Sequence, residues 1–489
     1  MSGSRRDFLK YATLAAGALA CTGGARRPRI HAESRPNIVL FLSDDHGYDY
    51  VGCNGNKVVH TPNMDRLAQE GMRFTQAFAG SPTCVPSRAV LYTGLMPFRN
   101  GAFLNHSRAY PGIRSLPHYL KALGYRVLLA GKTHIRPPSV YPFEYVKALL
   151  PPDPAFDRGY RSEGLDTEAV DRVLADHAAQ RPETPLCLVV ATFSPHVNWK
   201  PTEPYKPEEM LLPPYIVDTP MTRQAMTRYY SEVTATDKKL GACLGSLKKH
   251  GFEENTLVIY TSDQGPEWPH VKWNLYDAGI RVPFIVCWPG KIVPGTVSDA
   301  MISLCDITPT FIDIAGGNPI DRLDGKSFLP VLLDRTDAHR SRILASHSGD
   351  GTMNDFPMRC VRTKTHKYIL NLKPQNTYTT HFTQVPDADH GLIWQTWVEK
   401  AKTDPAAAKI IDQFQHRPEE ELYDLRTDPD EMHNIADDPA NADMLATLRQ
   451  QVRDWMADQG DEGIASEEAG RARNAPARRP ISPPTRSSR

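Results

Sequence analysis

The 489-residue sequence has no surplus of charge: Lys plus Arg and Asp plus Glu each number 57. A neutral chain carries no global field toward nucleic acid or an anionic membrane, so neither is an expected partner. Long apolar runs are missing as well. The best candidate, residues 11–20, is about half the ~20 residues a membrane-crossing helix needs. Cysteine is sparse. Cys21, Cys53, Cys84, Cys187, Cys243, Cys287, Cys305 and Cys360 are scattered without close pairs, which excludes a dense disulfide framework and a zinc-type ligand set and leaves buried free thiols as the expectation. No internal repeat is present. Glycine is scarcer than proline, 32 against 42, a balance that favours long, stiff loops of the kind that build the rims of sites.

The N-terminus carries Ser4-Arg5-Arg6-Asp7-Phe8-Leu9-Lys10 ahead of that short apolar run. The combination resembles a twin-arginine export signal, assigned to residues 1–32, with cleavage near Ala20 or Ala32. Cys21 offers a lipoprotein-type alternative, although Ala18 stands where a Leu is preferred. Export of an already folded chain agrees with independence from disulfides.

The length predicts one large α/β domain, 36–335, and a smaller C-terminal α+β subdomain, 336–458. Residues 38–42 are a continuous apolar run, as in a strand buried on both faces. Further strands are predicted at 125–130, 186–193, 256–261 and 283–288. Helices are predicted from Pro62, over 116–123, over the Cys84 segment and over 222–250. This alternation predicts a large, mostly parallel sheet flanked by helices. Residues 137–160 read as a long surface excursion. Residues 358–370 alternate in the manner of exposed strands, a helix is predicted near 444–456, and residues 459–489 lack an apolar period and read as disordered.

Asp44, Asp45, Lys132, His134, His196 and Asp263 all fall just past predicted strand ends, the edge at which open α/β sheets bind ligands. Adjacent Asp44 and Asp45 repel each other in a cleft unless a cation neutralises them. Asp263 and Gln264 add a carboxylate and an amide oxygen, and a set of oxygens without His or Cys describes a hard cation, Ca²⁺ or Mg²⁺. In Cys84-Val85-Pro86-Ser87-Arg88, Pro86 suits the first turn of a helix. Arg88, Leu91 and Tyr92 then follow at helical spacing. Cys84 is therefore expected just before a helix N-terminus, an anion-binding position.

Cys-x-Pro-Ser-Arg followed by Leu91-Tyr92-Thr93-Gly94 resembles the signature of the type I sulfatases of the alkaline phosphatase superfamily. The resemblance implies an alkaline-phosphatase-like fold, and a Cys84 converted to formylglycine by a formylglycine-generating enzyme. It implies one Ca²⁺, with Mg²⁺ second, held by Asp44, Asp45, residue 84, Asp263 and Gln264; Asn is commoner at the last position. It gives Arg88 the task of steadying the hydrated aldehyde, Lys132 and Lys272 the sulfate oxygens, His134 the formylglycine hydroxyls, and His196 protonation of the leaving group. One hydroxyl then attacks sulfur and the second later expels sulfate. The run from Lys272 to Pro283 resembles the sulfatase stretch after the metal ligands. Arg99-Asn100-Gly101, Arg114-Ser115-Leu116-Pro117, Asn274-Leu275-Tyr276 and Glu421-Leu422-Tyr423-Asp424 resemble the sulfamidase branch. The implied partner is a sulfated carbohydrate, N-sulfoglucosamine first and an O-sulfated glycan second. Two other readings stand beside this one. A phospho- or phosphonate-ester hydrolase of the same superfamily is favoured by two metal ions, and the sequence offers ligands for one. A non-catalytic glycan-binding protein is favoured by loss of Cys84, Arg88 or Lys132, and all are present.

Overall fold

The computed structural model describes residues 35–147, 165–351 and 353–474. The export signal, Cys21, residues 148–160 of the expected excursion and residues 475–489 lie outside them. The described residues form one compact unit.

The strands are β1 (Asn37–Ser43), β2 (Met72–Phe74), β3 (Ala77–Phe78), β4 (Arg126–Gly131), β5 (Glu144–Val146), β6 (Leu186–Ala191) and β7 (Thr256–Ser262). They continue as β8 (Phe284–Cys287), β9 (Thr296–Ser298), β10 (Ile302–Ser303), β11 (Arg342–His347), β12 (Met358–Thr363), β13 (His366–Asn371) and β14 (Glu420–Asp424). Eight form the main sheet in the order β5-β4-β6-β1-β7-β8-β2-β9. Only β8 runs antiparallel to both its neighbours; the other pairings are parallel. The expected mostly parallel sheet is thus present.

The apolar runs follow from burial on both faces. Ile38, Leu40 and Leu42 of β1, with Cys187 and Val189 of β6, enter one core. Val39 and Phe41, with Leu188 and Val190, enter a second core on the other face. The side-chain period of two divides each strand between two helical layers. The Pro220–Lys249 helix, N-capped by the Thr219 side chain and with Pro at its first turn, lies on the sheet and supplies both cores, Tyr229 and Val233 to one and Leu240 and Leu247 to the other.

Four expectations change. Residues 358–370 are not exposed: β12 and β13 form the centre of an antiparallel sheet, β11-β12-β13-β14. Its Met358, Cys360 and Ile369 face the main core, and Val361 and Tyr368 meet Leu448 and Val452 of the Ala442–Gln459 helix. The excursion at 137–147 is tied down, with Val140, Tyr141 and Phe143 buried and β5 extending the sheet edge. The chain after 459 is not disordered throughout, because a helix spans Ile464–Asn474. Cys84 is the first residue of the helix Cys84–Thr93, with Thr83 as its N-cap, and so lies one position further inside than its spacing indicated. No described helix is long and apolar enough to cross a membrane.

Candidate active site

β1 and β7 are parallel neighbours with Ser43 opposite Ser262, so the next residues of each leave the sheet side by side. Asp44 and Asp45 come from one strand end, Asp263 and Gln264 from the other, and all four are buried. The Asp45 N–H donates to Asp263 Oδ1 at 3.2 Å. Asp44, Asp45 and Asp263 each place an oxygen within 4.8 Å of the other two. Asp45 has φ 65°, a left-handed conformation Asp tolerates better than most residues and one of the strained states that concentrate at functional sites.

The Cys84–Thr93 helix is anchored onto these carboxylates. Arg88 Nε donates to Asp263 Oδ2 at 2.9 Å and Nη2 to Asp44 Oδ1 at 3.4 Å, and Ser87 Oγ donates to the Asp263 carbonyl at 2.5 Å. Cys84 Sγ lies 3.1 Å from Gln264 Nε2 and 3.9 Å from Lys132 Nζ. Lys132, delivered by β4, pairs with Asp44. Lys272 Nζ bridges Asp45 Oδ2 and Glu267 Oε2, each at 2.7 Å. His196, beyond β6, donates Nδ1–H to the Val197 carbonyl at 2.6 Å, since a carbonyl only accepts. Its Nε2 therefore faces the site, 3.7 Å from Asp45 Oδ2 and 3.6 Å from Glu267 Oε2. His134 Nε2 meets His106 Nδ1 at 3.1 Å.

The ten residues given catalytic or metal-binding roles from sequence thus fall in one place. Cys84, Lys132, His134, His196 and Lys272 line a cleft of about 670 Å³, and the fully buried Asp44, Asp45, Asp263, Gln264 and Arg88 lie behind that lining, joined to it by the Cys84–Gln264, Lys132–Asp44 and Lys272–Asp45 contacts. Arg88 is tied to the carboxylates of Asp263 and Asp44 through Nε and Nη2.

Burial, then the Asp44 charge, pushes the Asp263 carboxyl well above its ordinary range. Burial also raises Asp45, against the pull of Lys272. For Asp44 burial is outweighed by Lys132, His196 and Arg88, which hold it well below that range. Three carboxylates therefore converge in full burial, and burial holds Asp263 and Asp45 up even with Arg88 and Lys272 paired to them. Gln264 Oε1 is buried without a hydrogen-bond partner, while Nε2 of the same amide points at Asp45 Oδ1 at 2.6 Å. Exchanging the amide ends presents that oxygen to the carboxylates. Converging carboxylate oxygens and an orphaned amide oxygen fit a hard divalent ion. Burial and Asp44 push the Cys84 thiol well above its ordinary range, so unmodified Cys84 is a neutral thiol and a poor nucleophile.

Several cleft residues carry no signal in the sequence. Glu267 accepts from His390 Nε2 at 2.9 Å as well as from Lys272. Asp350 Oδ2 accepts from Asn105 Nδ2 at 2.8 Å and Trp273 Nε1 at 3.2 Å. His381 stacks on Trp273, with centroids 4.8 Å apart. Glu267 stands three positions past Gln264 in one loop, and its proximity was the one available hint. Asp350, His381 and His390 arrive from distant sequence, and no local pattern marks them.

The sulfatase family model matches residues 36–317, and the model for the C-terminal region of N-sulphoglucosamine sulphohydrolase matches 268–387. An ulvan-active sulfatase of Formosa agariphila is 32% identical, the match covering 87% of this chain and 81% of that protein. The human N-sulphoglucosamine sulphohydrolase is 28% identical, covering 88% and 92%. Among solved structures, a protein in complex with its substrate D-glucosamine-2-N,6-O-disulfate superposes with a TM-score of 0.67 at 21% identity, covering 88% of this chain and 99% of that one, and shares the alkaline-phosphatase-like fold.

Proposed function

The chain belongs to the sulfatase family and hydrolyses a sulfate ester or sulfamate; from that premise we propose that it removes sulfate from a sulfated sugar, N-sulfoglucosamine first, at the cleft headed by Cys84. The observation that carries the reading is the position of Cys84. It opens a helix between Gln264 and Lys132, with its sulfur within 4.8 Å of an oxygen of Asp44, one of three converging buried carboxylates.

Converted to formylglycine, residue 84 would supply a hydrated aldehyde as the nucleophile. A hard cation, Ca²⁺ before Mg²⁺, would be held by Asp44, Asp45, Asp263 and Gln264 and would supply Lewis acidity toward a sulfate oxygen. The rest is the work of this chain's side chains. Lys132 and Lys272 place ammonium groups where sulfate oxygens gather negative charge. Each is already aligned by a buried carboxylate, Asp44 for one, Asp45 and Glu267 for the other. His196 has one ring nitrogen committed to Val197 and presents Nε2 to the departing atom, so a proton held there can be delivered to an amine or alcohol. Burial and Lys132 press His134 well below the ordinary imidazole range. A neutral ring can take a proton from a hydroxyl at residue 84.

Two features support a sugar. The cleft has the volume of a small-molecule site, and Trp273, Asp350 and Asn105 offer it an aromatic body with hydrogen-bonding groups. The match to the N-sulphoglucosamine sulphohydrolase C-terminal model supports an N-linked sulfate. Sulfate release by the modified enzyme from N-sulfoglucosamine, compared with 6-O-sulfated N-acetylglucosamine, tests the choice. Preference for the sulfamate is expected; turnover of the O-sulfated sugar alone would remove the sulfamidase assignment.

A further inference from the structure

The helix Ile464–Asn474, where the sequence showed no apolar period, packs on two loops that supply cleft residues. Its approach to the first is close. A Cβ at Gly470 would overlap the Phe103 ring. That ring is 4% exposed and stacked on Phe98 at 4.5 Å, so it has little room to retreat. Arg473 lies over the Tyr110 ring at 4.4 Å and the Phe103 ring at 5.4 Å, and donates to the carbonyls of Gly101 and Arg108. The helix thereby grips both ends of the loop 101–110.

The second loop is held by Glu467. This carboxylate is fully buried, and its Oε1 accepts from Ser348 Oγ and Arg359 Nη2, both at 2.8 Å. The Arg359 guanidinium in turn covers Phe98 at 4.5 Å. Beside Ser348, the Gly349 carbonyl accepts the Asn105 N–H at 3.1 Å, and Asn105 Nδ2 donates to Asp350 Oδ2 at 2.8 Å. Both loops therefore end at one pair, Asn105 and Asp350, on the wall of the cleft. Asp350 is also fixed by Trp273 Nε1. Such a wall recognises hydroxyl or amide groups of a sugar only while its carboxylate and amide are held in place.

We propose that the Ile464–Asn474 helix is a strap that positions the Asn105–Asp350 wall for the sugar ring, with Glu467, Gly470 and Arg473 as positioning residues. This rests on the reading of the cleft as a sulfated-sugar site. The nucleophile helix also meets the 101–110 loop, through the Val85 N–H on Asn105 Oδ1 at 3.3 Å and the packing of Ala102 against Val85 and Ala89, but Ser87 and Arg88 anchor it separately to Asp263 and Asp44.

The test uses full-length, formylglycine-bearing enzyme carrying Gly470→Leu or Arg473→Ala, with N-sulfoglucosamine and 4-nitrophenyl sulfate as substrates. Loss of one or two aligned hydrogen bonds to the sugar predicts KM for N-sulfoglucosamine raised by about ten-fold, with kcat within about two-fold. kcat/KM for the aryl sulfate, which is too small to need the wall, stays within about two-fold on the same argument. Amide hydrogen exchange rises in residues 101–110 and 348–350 and stays unchanged in β1 and β7. Arg473→Lys, which keeps the charge and a donor, recovers part of the sugar KM. Equal losses on both substrates would overturn the proposal. So would folded variants with unchanged exchange in both loops. If Gly470→Leu does not fold, Arg473→Ala at the exposed end of the helix carries the same comparison. A wild-type enzyme that releases sulfate from no sugar defeats the substrate reading alone, and the exchange measurement then decides for or against the strap.

Discussion

Glu267 is the least expected charge in the cleft, and removing it has a calculable effect. Its carboxylate is 2% exposed and receives hydrogen bonds from Lys272 Nζ at 2.7 Å and His390 Nε2 at 2.9 Å. Burial alone would raise its pKa, but Lys272 and His390 hold it well below the ordinary range, so it is ionised. Glu267→Ala leaves two buried cations facing a gap, and breaking a buried pair in this way costs about 3–5 kcal/mol of stability. Glu267→Gln keeps an acceptor and the volume but loses the charge, a loss of about 1–3 kcal/mol. Lys272 keeps Asp45 as a partner in both variants. The loss in kcat/KM should therefore stay near ten-fold for Glu267→Ala, below the ~10²–10³ typical of deleting an electrostatic contributor outright, as in Lys272→Ala. A pH readout separates the charge from the shape. Burial disfavours charged His390, but Glu267 and Asp387 outweigh it and raise its pKa. A proton bound more tightly in the folded chain adds stability below the unfolded value of about 6.5, and this increment is lost as pH rises through the folded value. Thermal midpoints measured from pH 5 to pH 9 should show that decline in the wild type and a weaker one in Glu267→Gln. Wild-type stability and activity in Glu267→Ala would refute the reasoning. So would a folded Glu267→Ala more damaged in kcat/KM than Lys272→Ala, because the carboxylate would then act on the substrate itself.

Asp45→Ala should abolish stoichiometric calcium by elemental analysis and lower kcat by on the order of 10² or more; stoichiometric zinc in the wild type would contradict the oxygen-ligand reading. His196→Ala should slow N-sulfoglucosamine by about 10²–10⁴ while slowing an aryl sulfate far less, because an amine leaving group needs its proton and a phenolate does not; equal slowing would remove His196 as the proton donor. Replacing both Arg5 and Arg6 by Lys should leave precursor in the cytoplasm, and normal export of that variant, followed by fractionation, would reject the twin-arginine assignment.

The sheet was legible because strands buried on both faces must be apolar throughout, and few other elements are. The carboxylate cluster was legible for a related reason. Asp44 and Asp263 come directly after two apolar runs, and parallel neighbouring strands deliver their next residues to the same sheet edge. The cleft walls were not legible. Asn105 and Asp350 meet across 245 residues, and His390 reaches Glu267 from a loop with no readable pattern. Residues 358–370 misled because their alternation divides between two buried faces, and alternation alone does not tell a second core from water. The Ile464–Asn474 helix was missed because it is held by Glu467, Gly470 and Arg473, which are charged or small, and an apolar period finds neither kind.

The most direct test of the account is the mass of the peptide carrying residue 84, measured alongside sulfate release in preparations made with and without a formylglycine-generating enzyme. The account predicts a peptide about 18 Da lighter than its cysteine form, with activity on N-sulfoglucosamine rising in proportion to the modified fraction. Full activity in a preparation whose residue 84 is entirely unmodified cysteine would contradict it.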